Sequence, residues 1–203
     1  MGIDPSAFKA PFLPAQHCYA RADEFRAEFW PSGDYPVDVL AIAEFGLGLD
    51  IRIVDNLKSQ QDVDALLGLD FKTIAVDRDQ YMDSRFHSRM RYSVAHELGH
   101  YVLHRKVAEM FPKEEKALRE FYSQIPEQEY SFLEYHAYEF AGALLVPGSE
   151  LSHRLELCMK QYGVQDLSNE LSRVKVTSSL ASYFAVSTDV IEKRLIREKL
   201  IQS

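Results

Sequence analysis

The sequence predicts an α+β fold: a small antiparallel or mixed sheet, then packed helices, then a helical C-terminal segment. Three observations carry this. Short alternating or β-branched runs cluster between residues 49 and 77. Two long segments with helical period follow, at 85–106 and 131–147. Beyond residue 150 only helical patterns remain. The chain divides accordingly into an extended N-terminal arm (1–18), a core (19–150) and a helical C-terminal segment (151–203).

The chain has 203 residues, 46% of them hydrophobic, enough for one full core. No apolar run approaches the roughly 20 residues of a membrane span. The N-terminus lacks a basic-then-apolar secretory signal, so the expectation is a cytoplasmic protein with no membrane partner. Met1-Gly2-Ile3-Asp4-Pro5-Ser6 fits the loose myristoylation pattern, but no polybasic stretch follows to supply a second membrane signal. Cys18 and Cys158 are too few and too far apart in sequence for a disulfide framework and fit reduced thiols. A net charge of −8 disfavours a whole-protein nucleic-acid binder.

In order, Pro5, Pro11 and Pro14 mark the arm. Ala20 to Trp30 spaces Phe25, Phe29 and Trp30 as a helix and stops at Pro31-Ser32-Gly33-Asp34. Pro36 to Phe45 repeats the helical pattern through Val37, Leu40, Ala41 and Ile42, and Gly46-Leu47-Gly48 ends it. Leu49 to Val54 alternates as a strand, and Asp62–Asp70 and Phe71–Asp77 read as two more strands meeting near Gly68. Asp77-Arg78-Asp79, two carboxylates at a strand end, reads as solvated charge rather than a metal site.

Arg85 to Lys106 then forms a helix containing His96-Glu97-Leu98-Gly99-His100, an H-E-x-x-H pattern. Positions four apart on a helix lie about 40° apart around the axis and about 6 Å along it, so His96 and His100 can close on one metal ion. Zinc, or another divalent ion such as manganese, accepts neutral imidazole. A site with three protein ligands leaves a fourth position for water, whose pKa falls to roughly 7. Glu97 is placed to take that water's proton. Val94, Leu98, Tyr101 and Val102 give the helix one buried side. Gly99, costing a helix interior about 1 kcal/mol against alanine, predicts close approach of another backbone or of substrate. His104 follows at the same spacing but lies nearly two turns from an ion between His96 and His100, so the third ligand must come from another element.

Ser131 to Pro147 is a second strong helix. Glu134, Ala137, Tyr138, Ala141 and Leu145 share one face, whose small residues allow close packing on the first helix. Glu134 is therefore the candidate third ligand, although such a residue could also pair with Arg or Lys. His136 and Glu139 point elsewhere, each more than about 130° around the axis from Glu134.

The run Glu134-x-x-Ala137-x-x-Phe140-Ala141-x-x-Leu144-Leu145-x-Pro147, some thirty residues after Arg91-Tyr92-Ser93-x-Ala95-His96-Glu97-Leu98-Gly99-His100, resembles the ImmA/IrrE family of bacterial and phage metallopeptidases. The resemblance covers roughly residues 36–150 and is looser in the C-terminal helices. It implies a zincin-like arrangement in which His96, His100 and Glu134 hold the metal and Glu97 is the catalytic base. It also implies action on helix-turn-helix repressors during stress or mobile-element transfer. Where the family usually has Asn this chain has Tyr138, a candidate partner to a ligand or helper at the oxyanion.

In the C-terminal segment Glu150–Tyr162 and Asp166–Val174 read as helices. Leu180 to Leu195 outlines a helix-turn-helix, with its turn at Ala185-Val186 and Ser187 capping the second helix. From Asn169 onward Arg173, Lys175, Lys193, Arg194, Arg197 and Lys199 outnumber Glu170, Asp189, Glu192 and Glu198. That excess is small for a DNA footprint, so a structural or substrate-docking helical pair is preferred over DNA contact. The expected function is a zinc-dependent endopeptidase acting on a protein, probed against the alternative of a non-enzymatic metal-binding regulator that binds DNA or a repressor.

Overall fold

The computed structural model describes residues 4–112 and 114–202; Met1, Gly2 and Ile3 of the expected arm, and with them the myristoylation pattern, lie outside the described residues. The helices are α1 (Ala15–Phe29), α2 (Val39–Ala41), α3 (Leu57–Gln61), α4 (Arg78–Met82), α5 (His87–Ala108), α6 (Glu115–Gln124), α7 (Glu127–Leu145), α8 (Gly148–Tyr162), α9 (Glu170–Phe184) and α10 (Thr188–Arg197). The strands are β1 (Asp50–Val54), β2 (Ala65–Leu67) and β3 (Thr73–Asp77). The class is α+β, as expected from the patterning.

The sheet is mixed, in the order β1-β3-β2. β1 runs parallel to β3 with Ile51 opposite Ile74, and β2 runs antiparallel with Leu66 opposite Ala75. The expected strand over 62–70 shrinks to three residues because Asp62 closes α3, its N–H bonding the Lys58 carbonyl. At the other end the chain turns at Gly68, whose N–H bonds the Thr73 carbonyl, and passes through Phe71 at φ 53°. β2 is thus a short edge strand lying along α5. Asp77, expected to be solvated, is buried and caps α4, accepting from the backbone N–H of Lys58, Asp79 and Gln80. That is a capping role.

α5 and α7 form the centre of the molecule. A Cβ on Gly99 would stand 2.9 Å from the Cα of Ala137 and 3.0 Å from its carbonyl oxygen. Gly99 therefore permits the backbone contact that the sequence led one to expect. Ala137, Ala141 and Leu145 of α7 are fully buried, while Tyr138, on the same expected face, is 53% exposed at its rim. α1 lays Cys18, Ala22 and Phe25 into the core. The Phe25 ring meets Phe140 of α7 edge-on at 5.7 Å.

Several boundaries differ from the sequence reading. Helix α1 begins at Ala15, so residues 15–18 are helical and only the stretch before them is an arm. That arm is anchored: Phe8 is fully buried among Val107, Phe111, Leu118, Phe121, Ile125 and Leu133. The Ala10 N–H and the Lys9 ammonium both reach Glu129. The helix expected over 36–45 is one α turn, capped by Asp38, that widens into a π turn over Ile42–Gly46. The Leu47 N–H there reaches back five residues to Ile42.

The two C-terminal helices expected on either side of residue 177 are one helix, α9. Val176, Leu180 and Phe184 keep a single buried stripe through Ser178-Ser179. The turn at Ala185 is left-handed and Ser187 caps α10 by accepting from the Val190 N–H. Val176, Leu180, Phe184, Ile191 and Leu195 belong to the same hydrophobic cluster as Leu98, Phe140 and Leu144. The C-terminal helices therefore share the core of the rest.

Gly99→Ala should destabilise the protein by about 1–3 kcal/mol, because the added methyl meets backbone, which cannot swing aside as a flexible side chain would. Denaturant unfolding measures it, and a midpoint equal to that of the wild type would refute the close crossing.

Candidate metal centre

The crossing brings three side chains to one point. His96 and His100 turn their Nε2 atoms toward each other at 3.1 Å. Glu134 reaches across from α7, with Oε2 3.3 Å from His96 Nε2 and Oε1 3.4 Å from His100 Nε2. Among the described residues these three form the cluster able to hold a metal. The donor set is tested by its own spacing. Ligands at zinc's usual bond length of about 2.0–2.1 Å stand about 3.3 Å apart at the corners of a tetrahedron. The three observed separations bracket that value, so two imidazoles and a carboxylate fit a divalent cation such as zinc.

The charges agree with that fit. Burial works to raise the Glu134 carboxyl, but hydrogen bonds from His100 and His96 outweigh it and hold the group well below the usual carboxylate range. The site therefore offers a fixed negative charge. Glu97, one residue from His96, is buried, and its Oε2 accepts a 2.8 Å hydrogen bond from the Leu67 N–H of β2. Burial pushes its carboxyl up to about 7, against the His96 ring and the Leu67 N–H, which lower it.

His104 stands outside the cluster, as its position along α5 requires. It meets the other side of the His100 ring instead: its Nδ1 is 3.0 Å from Nδ1 of His100, and its Nε2 is 3.3 Å from Nδ1 of His136. Burial, then the neighbouring His100 and His136, push His104 down to about 2, so it is neutral at ordinary pH. Glu139 does project elsewhere, bonding the Tyr19 hydroxyl and Arg197. His136 lies outside the cluster, yet it reaches the centre through His104, a link that the helical angle alone conceals. Tyr138 packs its ring on His96 with centroids 4.5 Å apart. The contact is ring on ring, and His96 Nδ1 is buried without a hydrogen-bond partner among the described residues.

The centre opens into a cleft of about 1090 Å³, walled by β2 and Phe71 on one side and by Phe111, Leu118 and Leu133 on another. Tyr122 and Tyr130 line it, with rings edge-on at 6.0 Å. Both phenols are raised, first by burial and then by Glu134, Tyr122 to about 12. They keep their protons, and that of Tyr130 is donated to the Glu134 carboxylate. Sequence reasoning passed over Tyr122 because 111–129 reads chiefly as a charged stretch, and over Tyr130 because it falls between that stretch and the helix read from Ser131; the aromatic residues were the available signal. The Leu67 N–H was equally invisible, being backbone.

A carboxyl whose pKa rises on folding holds its proton more tightly in the folded state. Its contribution is therefore fully present below the unfolded value near 4.5 and is lost as pH rises through about 7. In the metal-free protein the wild type should accordingly lose stability relative to Glu97→Gln across that window. Denaturation at a series of pH values reads this difference, and parallel profiles for the two proteins would contradict the burial of Glu97.

Comparison with known families gives a match to the model of the IrrE N-terminal-like domain, peptidase family M78, over residues 49–196. The match begins just before β1, later than the resemblance read from sequence, and ends within α10, in the region where that resemblance was looser. No curated protein matches the chain significantly. The matched segment spans most of the chain and contains His96, Glu97, His100 and Glu134 in the arrangement above; the chain belongs to the ImmA/IrrE family of IrrE N-terminal-like peptidase domains.

Proposed function

We propose that the protein is a zinc-dependent endopeptidase that cuts another protein in an extended stretch laid along β2. The observation that carries this reading is the convergence of His96, His100 and Glu134 with Glu97 held beside them by the edge strand. Zinc bound there would supply the Lewis acidity that polarises a scissile carbonyl and acidifies the attacking water. Glu97 would accept the water's proton and deliver it to the leaving amine. The Tyr122 phenol, which lines the cleft and keeps its proton, is proposed as the donor to the developing oxyanion.

The sheet edge supports an extended substrate. In the register of β2 and β3, Asp64 and Gly68 turn their backbone groups toward β3, so Ala65 and Leu67 present theirs outward. The Leu67 N–H is taken by Glu97, which leaves the remaining outward groups to pair with a chain added as a strand. Ser187 and Val190 line the same cleft, so the corner between α9 and α10 contributes to where a protein substrate would rest. Following the family resemblance, that substrate is proposed to be a helix-turn-helix repressor, and the setting a cytoplasmic stress or mobile-element response. Free thiols at Cys18 and Cys158 fit a reducing compartment. No helix among the described residues is long and apolar enough to cross a membrane.

Docking is favoured over DNA contact by where the C-terminal cations go. Arg194 is buried, bonding the Val146 carbonyl and pairing with Glu198, while Arg173 pairs with Glu192 and Arg197 with Glu139. One observation favours the non-enzymatic reading: Glu97 already has a structural task in tying β2 to α5. Glu97→Gln separates the two, since an amide oxygen can still accept from Leu67 but cannot act as a base. It should keep the wild-type zinc stoichiometry and lose at least about a hundredfold in cleavage rate. The assay incubates each protein with the helix-turn-helix repressor encoded nearest to it, with and without a chelator. Cleavage by the variant at the wild-type rate, or cleavage that survives the chelator, would overturn the proposal.

A further inference from the structure

We infer that His104 and His136 are positioning residues, joined to His100 in a one-directional hydrogen-bond chain that fixes the metal-binding tautomer of that ligand. The inference rests on the metal centre proposed above and extends it to residues that touch no metal.

An imidazole ligates through a nitrogen that carries no proton. The nitrogen that His100 offers to the site is Nε2, which faces His96 and Glu134. Its proton must therefore sit on Nδ1, and that atom is 3.0 Å from Nδ1 of His104. His104 has to accept there, because two N–H groups cannot point at each other at that distance. A neutral imidazole with an accepting Nδ1 carries its proton on Nε2. That atom is 3.3 Å from Nδ1 of His136, which accepts in turn. Each link's direction follows from the one before, starting at the metal.

Burial makes the chain matter. His104 is 4% exposed and His136 2%, so bulk water is poorly placed to replace either partner. The spacing explains how it is built. His96, His100 and His104 lie four apart along one side of α5, and His136 stands two residues after Glu134 on the helix that α5 crosses. His96 has no such support, its buried Nδ1 lacking a partner among the described residues. Ring orientation by hydrogen bonding thus enters the centre through His100, and the accepting partner also makes His100 the more basic ligand.

Two near-isosteric substitutions separate this role from packing. Asn at 104 places an amide oxygen close to where Nδ1 stands, whereas Leu has the same branching and no acceptor. Zinc affinity, read by competition with a chromophoric chelator, should fall ten- to a hundredfold in His104→Leu and stay within a few-fold of wild type in His104→Asn. Wild-type affinity in His104→Leu, or equal losses in both variants, would overturn the inference. If either variant fails to fold, long-range nitrogen–proton correlation spectra of the zinc-loaded wild type decide it. The expected pattern is a proton on Nδ1 of His100 and on Nε2 of His104, and the reverse at either ring would overturn it. A wild type that binds no zinc would instead sink the metal centre itself.

Discussion

The contact between Gly99 and Ala137 governs the rest of this structure. Two helices each carry part of the centre, and their side chains meet only if the backbones come closer than any side chain on α5 would allow. Glycine loses helix stability at that position, about 1 kcal/mol against alanine. The loss is offset by burial on both sides of the crossing, where Leu98, Phe140, Ala141 and Leu144 are all fully enclosed. Packing fixes the helix separation, the separation fixes the reach of Glu134, and that reach closes the triangle of ligand atoms.

The carboxylates show how one scaffold sets two different states. Glu134 lies within hydrogen-bond reach of two imidazoles and stays ionised despite burial. Glu97 accepts from one backbone N–H, and burial prevails over that bond and the nearby His96 ring. A carboxyl that ligates has to be ionised, and a base works best near the pH at which it operates. The difference arises from neighbours, since both residues are glutamate.

Legibility in the sequence followed the range of the interactions. His96 and His100 could be paired because their relation is local to one helix, and Glu134 could be nominated because small residues marked the face that packs. The reason for Gly99 was also readable, since a glycine inside a helical stripe has few other uses. The arm's anchoring at Phe8, the Lys58 N–H bond to Asp77 and the Leu67 hold on Glu97 are tertiary contacts between distant segments, and no local pattern announces them. His104 was set aside as a ligand and lies outside the cluster of His96, His100 and Glu134, but its link to His136 depends on how α5 and α7 are rotated against each other. The π turn at Ile42–Gly46 escaped for a different reason: it keeps the composition of a helix while changing the bonding.

The central claim is that this crossing builds a site of two imidazoles and one carboxylate. X-ray absorption by the zinc-loaded protein tests it most directly. The account predicts two imidazole nitrogens at about 2.0 Å with oxygen completing a four-coordinate shell. Sulfur at about 2.3 Å, or a third imidazole drawn from His104, would contradict it.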